Sequence, residues 1–215
     1  MSLVIPNVDE NGFKRRVNVG DIVGGGEVIG TLTTAGDGTL TAALLTGYNI
    51  LSRSGPTGAY NDTTDTATNI IAALAVNAQQ PSPGTTYRWR HINTVAFIAT
   101  MVAGTGVTLA GVTAVAASSY RDYLITLTNT TPAQVFAATV DGSTKVITGM
   151  TAAQTALLSV GMAVSGTGIA ASSVIQSIQP GVGVTLNNNT TAAGTLVSLT
   201  FSPTVTITGI GGGLK

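Results

Sequence analysis

The chain has no cysteine, which excludes disulfides and every zinc site built on thiolates. It has one histidine, so no site built on paired histidines exists. Aromatics make up only 5% of its 215 residues, and the core must be built from Val, Ile, Leu and Ala. Charge is scarcer still. Nine Lys and Arg balance nine Asp and Glu, 8% of the chain against about 25% for an average soluble domain. Seven of the eighteen lie in the first 27 positions (Asp9, Glu10, Lys14, Arg15, Arg16, Asp21 and Glu27). Between Tyr123 and Leu214 only Asp141 and Lys145 remain. A surface of hydroxyls and amides with zero net charge has little repulsion to keep copies apart, which favours association. The composition therefore predicts an assembly component.

What is plentiful is Gly (27 residues), with Thr, Ser, Ala and Val. The glycines fall between short β-branched runs, as turns between strands do. The start, Met1 to Glu10, has neither a basic region nor a long apolar one and does not read as a secretory signal. Residues 93–119 are uncharged and long enough to span a bilayer, but Gly104, Gly106, Gly111 and five threonines interrupt them. Strands and a turn are expected there, and no membrane partner.

Along the chain, residues 1–30 read as an extended N-terminal arm with a Gly24-Gly25-Gly26 joint. Leu40 to Leu51 reads as one or two strands. Asp62 and Asp65 are placed to cap a helix carrying Ala67, Ile70, Ile71 and Leu74 on one face. In Thr86–Asn93, period two sets Tyr87, Trp89 and His91 against Arg88, Arg90 and Ile92. Strands are also expected at 95–103, 107–110, 112–116 and 121–128. Later, Thr151-Ala-Ala-Gln154 has the form of a capping box, with Gly161 placed to stop the helix. One phrase occurs twice, Gly104-Thr-Gly-Val-Thr-Leu109 and Gly181-Val-Gly-Val-Thr-Leu186, a glycine turn feeding a strand.

Candidate chemistry is sparse. His91 has no obvious catalytic partners and is expected on a sheet surface. Asn61, Asp62 and Asp65 lack the spacing and charge of a calcium loop. Gly166-Thr-Gly168 fits a loose dinucleotide fingerprint, but Ser173-Val-Ile follows as strand and no Asp or Glu lies beyond it, so a turn is expected. Arg88 and Arg90 around Trp89, and Lys14-Arg15-Arg16, are too few for a nucleic-acid face on a neutral chain. They read as a solvated face or a salt-bridged subunit contact. Asn61, Asn129 and Asn189 open glycosylation triplets by coincidence in a Thr-rich chain. No catalytic residue, cofactor or metal is expected. A carbohydrate-active enzyme would need paired carboxylates, and four of the nine acids precede residue 28.

Several phrases carry a resemblance. Ala35-Gly-Asp-Gly38, Arg53-Ser-Gly-Pro-Thr-Gly-Ala-Tyr60, Asp65-Thr-Ala, the run Tyr87–Asn93, Gly104-Thr-Gly-Val-Thr-Leu109 and Ser119-Tyr-Arg-Asp-Tyr-Leu124 together resemble small β-rich virion proteins of tailed bacteriophages. Residues 146–201, with Leu158-Ser-Val-Gly-Met-Ala-Val-Ser-Gly-Thr-Gly-Ile169, resemble a small module of phage structural proteins. The resemblance implies a non-enzymatic capsid decoration (cement) protein, a homotrimer on the outer surface of the virion that binds and stabilises the major capsid protein shell. The alternative is a head- or tail-fibre protein that binds a receptor. Lys14, Arg15, Arg16, Arg88 and Arg90 are then the candidate capsid or subunit contacts. The expected fold is all-β: a sandwich or jelly-roll-like core with one short helix over 31–133 plus 202–215, and a small β-rich domain inserted at 134–201. Two sequential domains are the alternative.

Overall fold

The structure, a computed structural model, describes residues 28–76 and 81–214. It is mostly β, with sixteen strands and three short helices among the described residues. Nine strands of the first half alternate between two sheets. Strands β1 (Ile29–Leu32), β3 (Ile50–Arg53), β5 (Thr86–Asn93), β7 (Val107–Gly111) and β9 (Ser119–Asn129) lie in one sheet. Strands β2 (Gly38–Leu40), β4 (Tyr60–Thr64), β6 (Ala99–Val102) and β8 (Ala114–Val115) form the other. Neighbours β1, β3 and β5 run parallel, as do β2, β4 and β6, so the chain coils between the layers. The last strand, β16 (Thr204–Leu214), returns to the first sheet between β9 and β7, giving the order β1-β3-β5-β9-β16-β7. One apolar cluster lies between the layers. Leu51, Trp89, Tyr123, Ile125, Leu127 and Ile207 come from one sheet, and Leu40, Tyr60, Met101 and Val115 from the other.

Two helices close this core. α1 (Ala42–Thr46) occupies part of the run expected to be strand. Thr41 caps it by accepting from Leu44 N–H, and Leu45 is fully buried. Propensity explains the difference: Ala-Ala-Leu-Leu favours a helical turn once a capping threonine precedes it. α2 (Ala67–Val76) is the expected helix, with Ala67, Ile70, Ile71 and Leu74 packed inward. Its N-cap is not Asp62. Thr66 Oγ1 accepts from Asn69 N–H, while Asp62 sits in β4 with its side chain in the core. Asp65 braces both helices, accepting from Ala42 N–H at 2.9 Å and from Asn69 Nδ2 at 2.7 Å.

Between β9 and β16 the chain builds a second layer system. Its strands are β10 (Gln134–Asp141), β11 (Val146–Thr148), β12 (Ala163–Gly166), β13 (Ile175–Gln179), β14 (Gly183–Leu186) and β15 (Ala193–Ser202). All pairings are antiparallel, in the order β12-β15-β10-β11-β14-β13. The two outer strands also meet. Ala163 bridges Val174, Val164 N–H donates to Ser173 C=O at 2.8 Å, and Ile175 N–H donates to Met162 C=O at 2.9 Å. The sheet thus closes into a small barrel, which removes its free edges. Its interior is a separate cluster around Phe201, Met162, Ile147, Leu186 and Leu199.

α3 (Ala152–Thr155) carries the capping box read from the sequence: Thr151 Oγ1 accepts from Gln154 N–H, and Gln154 Oε1 accepts from Thr151 N–H. Thr151→Ala is expected to cost about 1 kcal/mol of barrel stability, read as a lower urea midpoint. In the repeated phrase the positive φ falls at different places, at the third residue Gly106 (76°) directly before β7 and at the first residue Gly181 (71°) two before β14. Gly168 (φ 79°) makes the fingerprint-like segment a turn, with no helix opening there.

The junction of sandwich and barrel is tied by side chains. Asn129 Nδ2 donates to Ser159 Oγ at 2.7 Å and to Val160 C=O at 2.9 Å, and Thr204 Oγ1 donates to Gly161 C=O at 3.0 Å. Asn129, which opens one of the glycosylation triplets, is thereby buried.

Candidate functional site

Two of the residues weighed for chemistry, Asp62 and His91, meet inside the sandwich. Arg53 ends β3, Tyr60 and Asp62 come from the facing β4, and His91 and Asn93 come from β5. Period two explains the arrangement: Tyr60, Asp62 and Thr64 all point inward from β4, and Trp89, His91 and Asn93 from β5. Arg53 and Asp62 are both fully buried. Arg53 Nε lies 3.0 and 3.1 Å from the two Asp62 oxygens. Nη1 donates to the C=O groups of Leu32, Thr34 and Ser54, and Nη2 to Gly36 C=O. It also lies over the Tyr60 ring, 4.7 Å from the centroid. Tyr60 Oη donates to Asn93 Oδ1 at 3.0 Å, and Asn93 Nδ2 donates to Phe97, Val115 and Ala116 C=O.

This network joins the two sheets and the loop ahead of β2. Its electrostatics follow from burial. Desolvation pushes the Asp62 carboxyl up against the opposing pull of Arg53, and raises the Tyr60 phenol to about 12. His91 is 1% exposed, a correction to the surface position expected for it. Neither ring nitrogen has a hydrogen-bond partner, and Nε2 stands 3.7 Å from Asp62 Oδ2, outside hydrogen-bond reach. Burial, with the positive Arg53 beside it, lowers the His91 pKa to about 3, so the imidazole is neutral at pH 7. The cluster has no exposed nucleophile or general base, and its chemistry is that of a clasp. Among the described residues no three His, Asp or Glu side chains converge on a common point, and no helix is long and apolar enough to cross a membrane.

The basic candidates divide. Lys14, Arg15 and Arg16, and the arm apart from residues 28–30, lie outside the described residues. Ile29 and Gly30 already belong to β1. Arg88 is exposed on the outer face of β5. Arg90, on the same face, pairs with Asp122 of β9 through Nε–Oδ1 at 2.7 Å and Nη2–Oδ2 at 3.1 Å, and stacks on Tyr120 at 4.4 Å. That hydrogen bond holds the Asp122 carboxyl below its usual value. The ion pair is within one chain.

The barrel carries charge at one end only. Asp141 and Lys145 both lie at the β10–β11 hairpin, where Asp141 accepts from Ser143 N–H, Thr144 N–H and Thr190 Oγ1. Four apolar side chains of this unit are well exposed: Val135 on β10, Leu196 on β15, and Leu157 and Val160 between α3 and β12. Leu196, 73% exposed, sits at φ +54° where β15 and β10 slip register. A bulky residue there is strained, and the bulge turns it into solvent. Sequence reading noted the missing charge but not these knobs, because exposure of a single Leu or Val has no local signature.

Comparison with protein-family models, with curated proteins and with solved structures found no match.

Proposed function

We propose that the chain is a non-enzymatic capsid decoration protein of a tailed bacteriophage, a homotrimer on the outer surface of the shell that binds and stabilises the major capsid protein. The observation that carries this reading is a barrel unit charged only at its β10–β11 hairpin, with Val135, Leu157, Val160 and Leu196 exposed. Covering the unit away from that hairpin desolvates no ion, so many small contacts can form without the penalty that buried charges impose. Threefold repetition then multiplies weak contacts into avidity. The sequence resemblance supplies the virion setting and the number three. The clasp in the sandwich supports a rigid part, and Arg88 offers an exposed cation to an acidic shell residue.

The test is to add the purified protein to isolated tailed-phage heads stripped of accessory proteins and to sediment them. Saturable binding at many copies per head is expected. A protein that stays in the supernatant and solitary at high concentration overturns the reading. Binding at only a few copies per particle transfers it to the fibre class.

A further inference from the structure

Among the described residues almost every strand edge is protected. The barrel closes on itself. In the four-stranded sheet, β2 is three residues long. At the opposite edge, Arg121 Nε donates to Ala114 C=O, Tyr123 Oη to Thr113 C=O, and Asn93 Nδ2 to Val115 and Ala116 C=O. Side chains thus occupy the carbonyls around β8. Two edges lack such cover among the described residues: β1 and β7, the two ends of the six-stranded sheet. Both are free of charge and proline, Ile-Gly-Thr-Leu and Val-Thr-Leu-Ala-Gly. Lys and Pro are the usual guards of exposed edges.

The two edges also match in direction and phase. β1, β3 and β5 are parallel, β5 and β9 antiparallel, β9 and β16 antiparallel, and β16 and β7 parallel. β1 and β7 therefore point the same way. Ile50 N–H donates to Val28 C=O, so Gly30 turns its amide groups to β3 and Ile29 and Thr31 turn theirs to the free side. Val205 N–H donates to Gly106 C=O, so Thr108 faces β16 and Leu109 faces the free side. A parallel ladder pairs a residue bonding across the gap with one bonding away, side chains on one face. Thr31 opposite Thr108 or Ala110 meets that condition: all three side chains lie on the outer face, and only Thr31 bonds outward.

We infer that the edge β1 of one copy pairs in parallel with the edge β7 of the next, head to tail, closing a ring of this chain. This rests on the trimer reading above for the number three. Equal strand polarity is what a ring with strands along its axis requires, whereas a twofold pair of identical edges runs antiparallel.

The absence of native cysteine makes a clean test. Thr31→Cys is combined with Thr108→Cys, or with Ala110→Cys, in the full chain, oxidised mildly, and run on non-reducing denaturing gels beside light scattering of the reduced protein. One double variant is expected to give a covalent band of threefold mass, with each single variant uncrosslinked. Double variants that stay at single-chain mass, or single variants that form disulfide dimers, overturn the pairing. Shell binding is assayed in parallel. A trimer that binds shells without crosslinking overturns the edge contact alone. A crosslinked trimer that ignores shells supports the edge contact and overturns the decoration reading alone.

Discussion

Arg53→Met is expected to destabilise the sandwich by about 3–5 kcal/mol, the cost of leaving a buried carboxylate without its partner. In urea at pH 7 this appears as a large fall in the sandwich midpoint, or as failure to fold at 37 °C. The backbone carbonyls of Thr34, Gly36 and Ser54 lose the Arg53 donor in the same step, while Leu32 C=O keeps Ser54 N–H. Since part of the loss is the orphaned Asp62, adding Asp62→Leu should recover stability relative to Arg53→Met alone, a positive coupling in a double-mutant cycle. Equal and additive losses would mean that the pair contributes no mutual stabilisation. The barrel has its own core and should keep its midpoint in both variants.

Asp62 also shows where sequence reading stops. It stands shortly before a helix and fits the N-cap pattern, yet Thr66, four residues on, does the capping. The signal that would have placed Asp62 in the core is the inward set Tyr60, Asp62, Thr64, which is polar and so invisible to a search for apolar alternation. Its partner Arg53 lies nine residues earlier on the opposite sheet. By contrast, β5 and β9 were legible, because Trp89, His91, Tyr123, Ile125 and Leu127 alternate strictly with outward residues. The capping box of α3 and the two glycine phrases were legible because their causes are local. Barrel closure was not: it depends on Ala163 meeting Val174, a contact of the folded sheet with no residue pattern of its own. The candidate contacts on the arm lie outside the described residues, and Arg90 proved to be engaged by Asp122.

Lowering the pH from 7.5 to 5.0 is expected to cost about 2 kcal/mol through His91 alone. Its ordinary pKa is 6.5, and burial with the Arg53 charge lowers it to about 3 in the folded chain. The unfolded chain therefore takes up a proton near pH 6.5 that the folded chain refuses. The contribution is fully present above 6.5 and is lost progressively as pH falls toward 3, at about 1.4 kcal/mol per pH unit. Asp62 acts in the opposite sense, because burial raises its pKa and a raised carboxyl favours the folded state in acid. The two contributions are separated by comparing the parent chain with a variant that lacks the imidazole but keeps Asp62. The groups facing it are Arg53 from β3 and Asp62 from β4, with Trp89 beside it on β5 at 5.8 Å between ring centroids. His91→Met keeps the volume and removes the titration. Between pH 7.5 and 5.0 its stability in urea should fall by about 2 kcal/mol less than that of the parent chain. Parallel slopes for the two proteins would assign the acid sensitivity to another group.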